Sequence, residues 1–329
     1  MPFYPWPEIE AFHQVRKSTH HYPELLGGDP RVLYLPKVKL HGTNAAIQIH
    51  RDGTVIAQSR TNVITPQNDN MGFAAWVEGN KEMWALKGGT DGVVLYGEWC
   101  GRGIQSNVAV SEIPKTFAIF GARSIRDPDF MIVEPTRLEA FVPDALREHK
   151  IALVLPWAGP PIIVDWSKPS EELETITNSI NEAVLAVEAC DPWVEANFNV
   201  KGTGEGLVYY PDSAEHVGSF KMFGDLCFKA KGAKHRVVTA PKAATVDPQV
   251  AASTEAFVNM VVTEARLEQG AGLSGELDRK NTGTFVRWII SDVTKECGGE
   301  LEASGLTWKQ VSGQISARAS KWWLKKCGL

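Results

Sequence analysis

Short stretches of alternating apolar and polar residues fill the first two-thirds of the chain, and a helical apolar period replaces them further on. The alternation predicts strands over 31–40, 54–59, 93–98, 116–122, 151–155, 162–165, 206–210 and 226–231. Ile47 and Ile49 alternate with Gln48 and His50, which predicts a further strand directly after the glycine turn at Gly42. Arg51-Asp52-Gly53-Thr54 then suits a hairpin turn, because Asp-Gly tolerates the positive φ that such turns need. One long helix is predicted over 170–188, where Leu173, Ile176, Ile180, Val184 and Val187 form a single stripe.

The pattern changes near Thr239. Residues 239–248 read as a linker ending in an N-cap, with Asp247 as the cap and Pro248 in the first turn of a new helix. Beyond it Phe257, Val258, Val261, Val262 and Ala265 share one helical face, and Phe285, Trp288, Ile289 and Val293 share another. A last helix is predicted over 307–326. The expected fold class is therefore α+β: an antiparallel-sheet domain over 1–238, a linker over 239–248 and a small all-helical domain over 249–329.

Composition narrows the function classes. The chain has 329 residues, 43% hydrophobic and 22% charged, as an ordinary globular protein does. No apolar run is long enough to span a bilayer, and the N-terminus lacks the basic start and apolar stretch of a secretion signal. The five cysteines are scattered and have no paired C-x-x-C, which argues against a disulfide framework or a structural zinc site. A reducing, cytoplasmic setting is expected, the host cytoplasm if the chain is viral. The eight histidines show no metal-ligand spacing, and His20-His21 reads as a solvated pair. A net charge of −5 excludes a protein that coats nucleic acid by charge alone. It leaves room for a local basic face, which appears between Lys221 and Lys242: Lys221, Lys229, Lys231, Lys234, Arg236 and Lys242 face only Asp225.

The candidate chemistry centres on Lys39, in Lys39-Leu-His-Gly-Thr-Asn44. A lysine held where a strand meets a glycine turn can be desolvated and aimed, and an amine prepared in that way can act as a covalent nucleophile. Arg60, at the end of the strand after the hairpin, offers a guanidinium suited to bidentate capture of phosphate. Glu98 ends an apolar strand, where a carboxylate is costly to bury unless it has partners. Phe120 could present a stacking face to a base. Glu205 stands at a strand start, and Lys229 and Lys231 lie on one face of a later strand because side chains repeat every second residue. Two neighbouring ammonium groups repel, and a phosphate bound between them removes that cost. Each feature alone has an ordinary structural explanation.

Taken in order, Lys39-Leu-His-Gly-Thr-Asn44, Ser59-Arg60, Tyr96-Gly-Glu98 with Gly103-Ile-Gln105, Phe117 to Phe120, Glu205-Gly206 and Lys229-Ala-Lys231 resemble the RNA ligase 2 family of covalent nucleotidyltransferases. The resemblance implies an ATP-grasp-like ligase domain followed by a helical domain. It also implies roles for single residues. Lys39 would become lysyl-AMP. Arg60 would contact phosphate, Glu98 would hold the ribose and Phe120 would stack on adenine. Glu205 would place a metal ion, Mg²⁺ or Mn²⁺, through water. Lys229 and Lys231 would hold the ATP phosphates. His41 and Asn44 would serve later steps, with Asn44 near the substrate's 3′ end. The implied activity is ATP-dependent sealing of 3′-OH/5′-phosphate nicks in duplex RNA or RNA–DNA hybrids, by a monomer that uses no membrane. The alternatives are an ATP-dependent DNA ligase, a GTP-dependent capping-type nucleotidyltransferase, or an inactive module that only binds nucleotide or RNA. Three positions depart from the family's pattern: Val38 where an acidic residue is frequent, Gly121 where aspartate is frequent and Tyr210 where lysine is common.

Overall fold

The structure is a computed structural model that describes residues 2–127, 129–212, 220–232, 254–303 and 306–328. The chain divides into two compact units, Met1–Gly232 and Ala233–Leu329. The predicted linker 239–248, with Asp247 and Pro248, lies outside the described residues, as do Lys234, Arg236 and Lys242.

The first unit is built on two sheets whose strands are β1 (Glu10–Ala11), β2 (Arg31–Lys39), β3 (Thr43–Ile49), β4 (Val55–Ser59), β5 (Val63–Ile64), β6 (Val93–Cys100), β7 (Thr116–Ser124), β8 (Met131–Ile132), β9 (Ala152–Val154), β10 (Ile162–Asp165), β11 (Gly206–Pro211) and β12 (Phe228–Lys231). The first sheet runs β1-β12-β11-β2-β10, antiparallel except for the β1–β12 edge. The second runs β5-β4-β3-β6-β7-β8, with β9 added parallel to β7. The strand–turn–strand predicted around Lys39 thus passes between sheets, since β2 belongs to the first and β3 to the second.

Period-two alternation sends each strand's residues to two different cores. In the second sheet Ala45, Ile47 and Ile49 of β3, Leu95 of β6 and Phe117 and Ile119 of β7 pack with Phe73, Val77 and Trp84 from the helices Phe73–Gly79 and Lys81–Ala85. In the first sheet Val32, Tyr34 and Val38 of β2 pack with Leu207, Tyr209 and Phe228 and with Ile180, Val184 and Val187 of the helix Glu174–Ala189. That helix carries Ile176, Ile180, Val184 and Val187 of the predicted stripe but starts four residues later than 170, with Leu173 as its N-cap. The other face of the first sheet turns toward the second, and Lys37 reaches across to the Phe120 carbonyl of β7.

The predicted strand 226–231 begins only at Phe228, because Phe220–Leu226 is a helix that uses Leu226 as its last residue. The second unit is helical where it is described, with Thr254–Val261, Glu264–Leu273, Thr282–Glu296, Gly298–Ala303 and Trp308–Lys326. Phe257, Val261, Phe285, Ile289, Val293 and Trp323 form its core, and the buried Arg266 is tied to Asp292 at 2.8 Å. Trp323 is fully buried in that core, while Trp322 stacks on Phe285 and carries Lys326 over its ring at 5.1 Å. Among the described residues no helix is long and apolar enough to cross a membrane.

Candidate active site

β11 lies between β2 and β12, and its register sets the site. Gly206 is opposite Lys39 on one side and Lys231 on the other, while Val208 is opposite Lys37 and Lys229. Residues paired in this way project to the same face, so four lysines share the face turned toward the second sheet. Gly206 is required here. Its φ is +152°, and a Cβ would fall 2.2 Å from the Ala230 carbonyl oxygen, so any side chain would push β12 away and part Lys231 from Lys39.

Glu205 precedes Gly206 and gathers the cations. Its Oε2 accepts from Lys39 Nζ at 2.8 Å and lies 3.5 Å from His41 Nδ1, and its Oε1 lies 3.4 Å from Lys231 Nζ. The carboxylate is buried at 3% exposure, while Lys39, Lys231 and His41 keep about a fifth of their surface. Burial pushes the Glu205 carboxyl up, but Lys39, Lys231 and His41 together outweigh it and hold it well below the usual carboxylate range.

Glu98 lies on β6 with its side chain at the turn after Lys39, and its Oε1 accepts the Gly42 N–H at 3.0 Å. Gln105 donates to the Gly42 carbonyl at 3.2 Å, and Asn70 donates to Thr43 Oγ1 at 2.9 Å. The turn that sequence reasoning identified by its glycine is therefore clamped on both sides. A Cβ on Gly42 would meet the Trp99 carbonyl oxygen at 2.4 Å. Desolvation, with Glu205 nearby, raises the Glu98 carboxyl to about 7 against the pull of Lys39 and the Gly42 N–H. Asn44 is the cross-strand partner of Glu98.

Lys39, His41, Glu205 and Lys231 are thus brought together, with Glu98 and Asn44 flanking them. Lys229 is on the same face one pair further along. Phe120 is buried on β7, with Trp6 edge-on to it at 5.3 Å between centroids. Arg60 follows Ser59, which pairs with Ala45 of β3; it is two-thirds exposed and makes a 3.4 Å ion pair with Glu8.

Two features escaped sequence reasoning. One is the N-terminal segment, bound by two buried glutamines: Gln58 accepts from Tyr4 N at 3.0 Å and donates to Tyr4 O at 2.9 Å, and Gln48 donates to Pro2 O at 2.9 Å. Trp6 of this segment fills the space over Gly121, where a Cβ would lie 2.5 Å from its ring. The other is Lys37, completely buried, whose amine burial pushes down to about 7 against the pull of Glu134. Its alternation with Lys39 was the available signal, since residues i and i+2 of a strand share a face.

The donor set suits a divalent cation held mainly by phosphate and water. Among the described residues no cluster of three or more His, Cys, Asp or Glu could cage a metal. Mg²⁺ ordinarily uses one or two carboxylates and keeps its waters, which Glu205 and Glu98 can meet.

The sequence profile of the RNA ligase family matches residues 34–231, which contain every site residue named above from Lys37 to Lys231. No curated protein matches the chain. Among solved structures, the chain is similar to the Naegleria gruberi RNA ligase with pyrophosphate, at 19% identity and a TM-score of 0.44, covering 71% of this chain and 58% of that one. A mutant of the Naegleria gruberi enzyme with ATP and Mn matches at 19% identity and a TM-score of 0.42, with the same coverage. An archaeal ATP-dependent RNA ligase matches at 15% identity and a TM-score of 0.38, covering 91% of this chain and 64% of that one. The chain spans less than two-thirds of the length of each of these proteins.

Proposed function

The chain belongs to the RNA ligase family, and from that premise we propose that it is an ATP-dependent RNA ligase whose nucleophile is Lys39. The observation that carries the reading is the convergence of Lys39, His41 and Lys231 on the buried Glu205 carboxylate. Such a cluster holds an amine and a second cation side by side in a partly dry site. An incoming triphosphate can take over the role of the carboxylate as their counter-charge.

In the first step the Lys39 amine, its proton passed to solvent, attacks the α-phosphorus of ATP. A P–N bond forms, the bond from the α-phosphorus to the bridging oxygen breaks, and pyrophosphate leaves with the electron pair. Until the triphosphate arrives, Glu205 holds Lys39 and Lys231 in place. Lys229 and Lys231 take up charge on the phosphates. Arg60 is free to exchange Glu8 for a phosphate, because an exposed ion pair of that kind is worth at most about 1 kcal/mol. Phe120 walls the base and Glu98 faces the ribose. Glu205, with Glu98 beside it, would hold Mg²⁺ or Mn²⁺ through water, and the ion supplies charge neutralisation on the phosphates.

The adenylate next passes to a 5′-phosphate, forming a 5′–5′ pyrophosphate linkage. A 3′-hydroxyl near Asn44 then attacks that activated phosphate and releases AMP. The proposed substrate is a 3′-OH/5′-phosphate nick in duplex RNA or an RNA–DNA hybrid, read through A-form geometry and the 2′-hydroxyl. The proposal includes a catalytic domain over 1–238, a linker over 239–248 and a helical domain over 249–329, in a monomeric cytoplasmic enzyme. Matched nicked duplexes with RNA or DNA on the 3′-hydroxyl side test the substrate. Sealing that favours RNA on that side supports the proposal, and preference for DNA there contradicts it.

A further inference from the structure

Lys37 lies two residues before Lys39 on β2 and projects to the same face, yet it is fully buried. A methionine would fill the same space without the cost of desolvating an amine, so its presence calls for a partner that only a donor can serve. That partner is the Phe120 carbonyl, which accepts from Lys37 Nζ at 3.0 Å across the gap between the two sheets. The amine also lies over the Trp157 ring at 4.9 Å and the Tyr210 ring at 5.9 Å. Trp157 is itself fixed by its Nε1, which donates to Glu134 Oε2 at 3.1 Å.

Phe120 is a special position in β7. The β6–β7 register shifts there: Tyr96 faces Gly121 and Gly97 faces Ile119, so Phe120 is the extra residue of a β-bulge. A bulge bends its strand and re-aims a side chain, and it needs support because the ladder is broken at that point. The support comes from the opposite sheet, through Lys37. Tyr210 fits the same arrangement. A lysine there would set a second ammonium against Lys37, whereas the aromatic ring gives it an attractive face.

We propose that Lys37 is a positioning residue that pins the Phe120 bulge from the facing sheet and so fixes the ring against which the nucleotide's base stacks. The proposal rests on the reading of Phe120 as the base wall. Lys37 acts through Phe120 and not on the reacting phosphate, so its loss affects nucleotide affinity and leaves the chemical step largely intact.

The test compares the full-length protein with Lys37→Met, Phe120→Leu and the double variant, following lysyl-adenylate formation against ATP concentration. Lys37→Met is expected to raise the ATP KM about tenfold, the upper end for one lost hydrogen bond, with the maximal rate within about twofold. In the Phe120→Leu background the same change should have almost no further effect on KM, because the two residues act as a unit. Amide exchange over 119–122 should accelerate in Lys37→Met while that of β3 and β4 stays unchanged. Lys37→Gln, neutral and too short to span the gap, replaces the methionine variant if that one does not fold. An unchanged KM, a fall in maximal rate alone, or additive effects with Phe120→Leu would overturn the proposal. If the wild-type protein forms no adenylate, the proposed activity fails, and the exchange measurement alone still decides whether Lys37 pins the bulge.

Discussion

Replacing Glu205 by glutamine keeps the side chain's shape and removes its charge. Two ammonium groups then lose their carboxylate: Lys39, bonded at 2.8 Å, and Lys231, at 3.4 Å. Removing one partner from a buried ion pair costs about 3–5 kcal/mol when the remaining charge is fully desolvated. Here both lysines retain about a fifth of their surface, so the lower end, about 3 kcal/mol, applies. A unit of this size loses about 2–4 °C per kcal/mol, which gives a fall of about 6–12 °C in the midpoint of the first unit near neutral pH. Scanning calorimetry of the full chain reads it, and the pH series supplies the sign. The folded Glu205 carboxyl is held well below its ordinary range. Its stabilisation is therefore complete above the unfolded carboxyl value, about 4.3, and is lost as pH falls through the folded value. The gap between wild type and Glu205→Gln should narrow on acidification. A shift of less than about 1 °C near neutrality, against the 2–4 °C per kcal/mol expected, would refute the reasoning, as would a gap that persists unchanged in acid.

Three further outcomes follow from the geometry. Lys37 has its amine lowered to about 7 in the fold, so the unfolded chain binds more protons above that pH and stability should rise by about 2 kcal/mol between pH 7 and pH 9. Urea midpoints should show that rise in the wild type and not in Lys37→Met. Gly42→Ala forces a Cβ against the Trp99 carbonyl oxygen and parts the Gly42 N–H from Glu98; a loss of about 2–3 kcal/mol and of nucleotide binding is expected, read by urea unfolding and ATP titration. Gly121→Asp collides with the Trp6 ring. It should destabilise by about 1–3 kcal/mol and far less in a Trp6→Ala background, a non-additivity that a thermal double-mutant cycle detects.

The strands were legible because both sheets are patterned in period two with one face in a core, as Ile47 and Ile49 of β3 illustrate. The helical second unit was legible for the same reason at period 3.6, and Trp323 packs its core at 0% exposure. Where local pattern competed with tertiary packing, it misled: Leu226 ends a helix and does not open β12, and Ser170 lies ahead of a helix that begins at Glu174. Within the site, residue identity pointed to Lys39, Glu205 and Lys231, but not to the carboxylate as the hub that joins them, because their pairing runs through β11 across long sequence separations. The N-terminal segment carries no periodic signal, and its order comes from Gln48 and Gln58, whose side chains take the place of a neighbouring strand. Arg60 follows Ser59, the cross-strand partner of Ala45, and pairs with Glu8 of this segment.

The central claim is that the Lys39 amine forms a covalent bond to the nucleotide's α-phosphorus. Mass spectrometry of the full chain after incubation with ATP and Mg²⁺ reads it directly. The account predicts one added adenylate, located by peptide mapping on Lys39, released by pyrophosphate and absent in Lys39→Met. An unmodified protein, or an adenylate that persists in Lys39→Met, would contradict it.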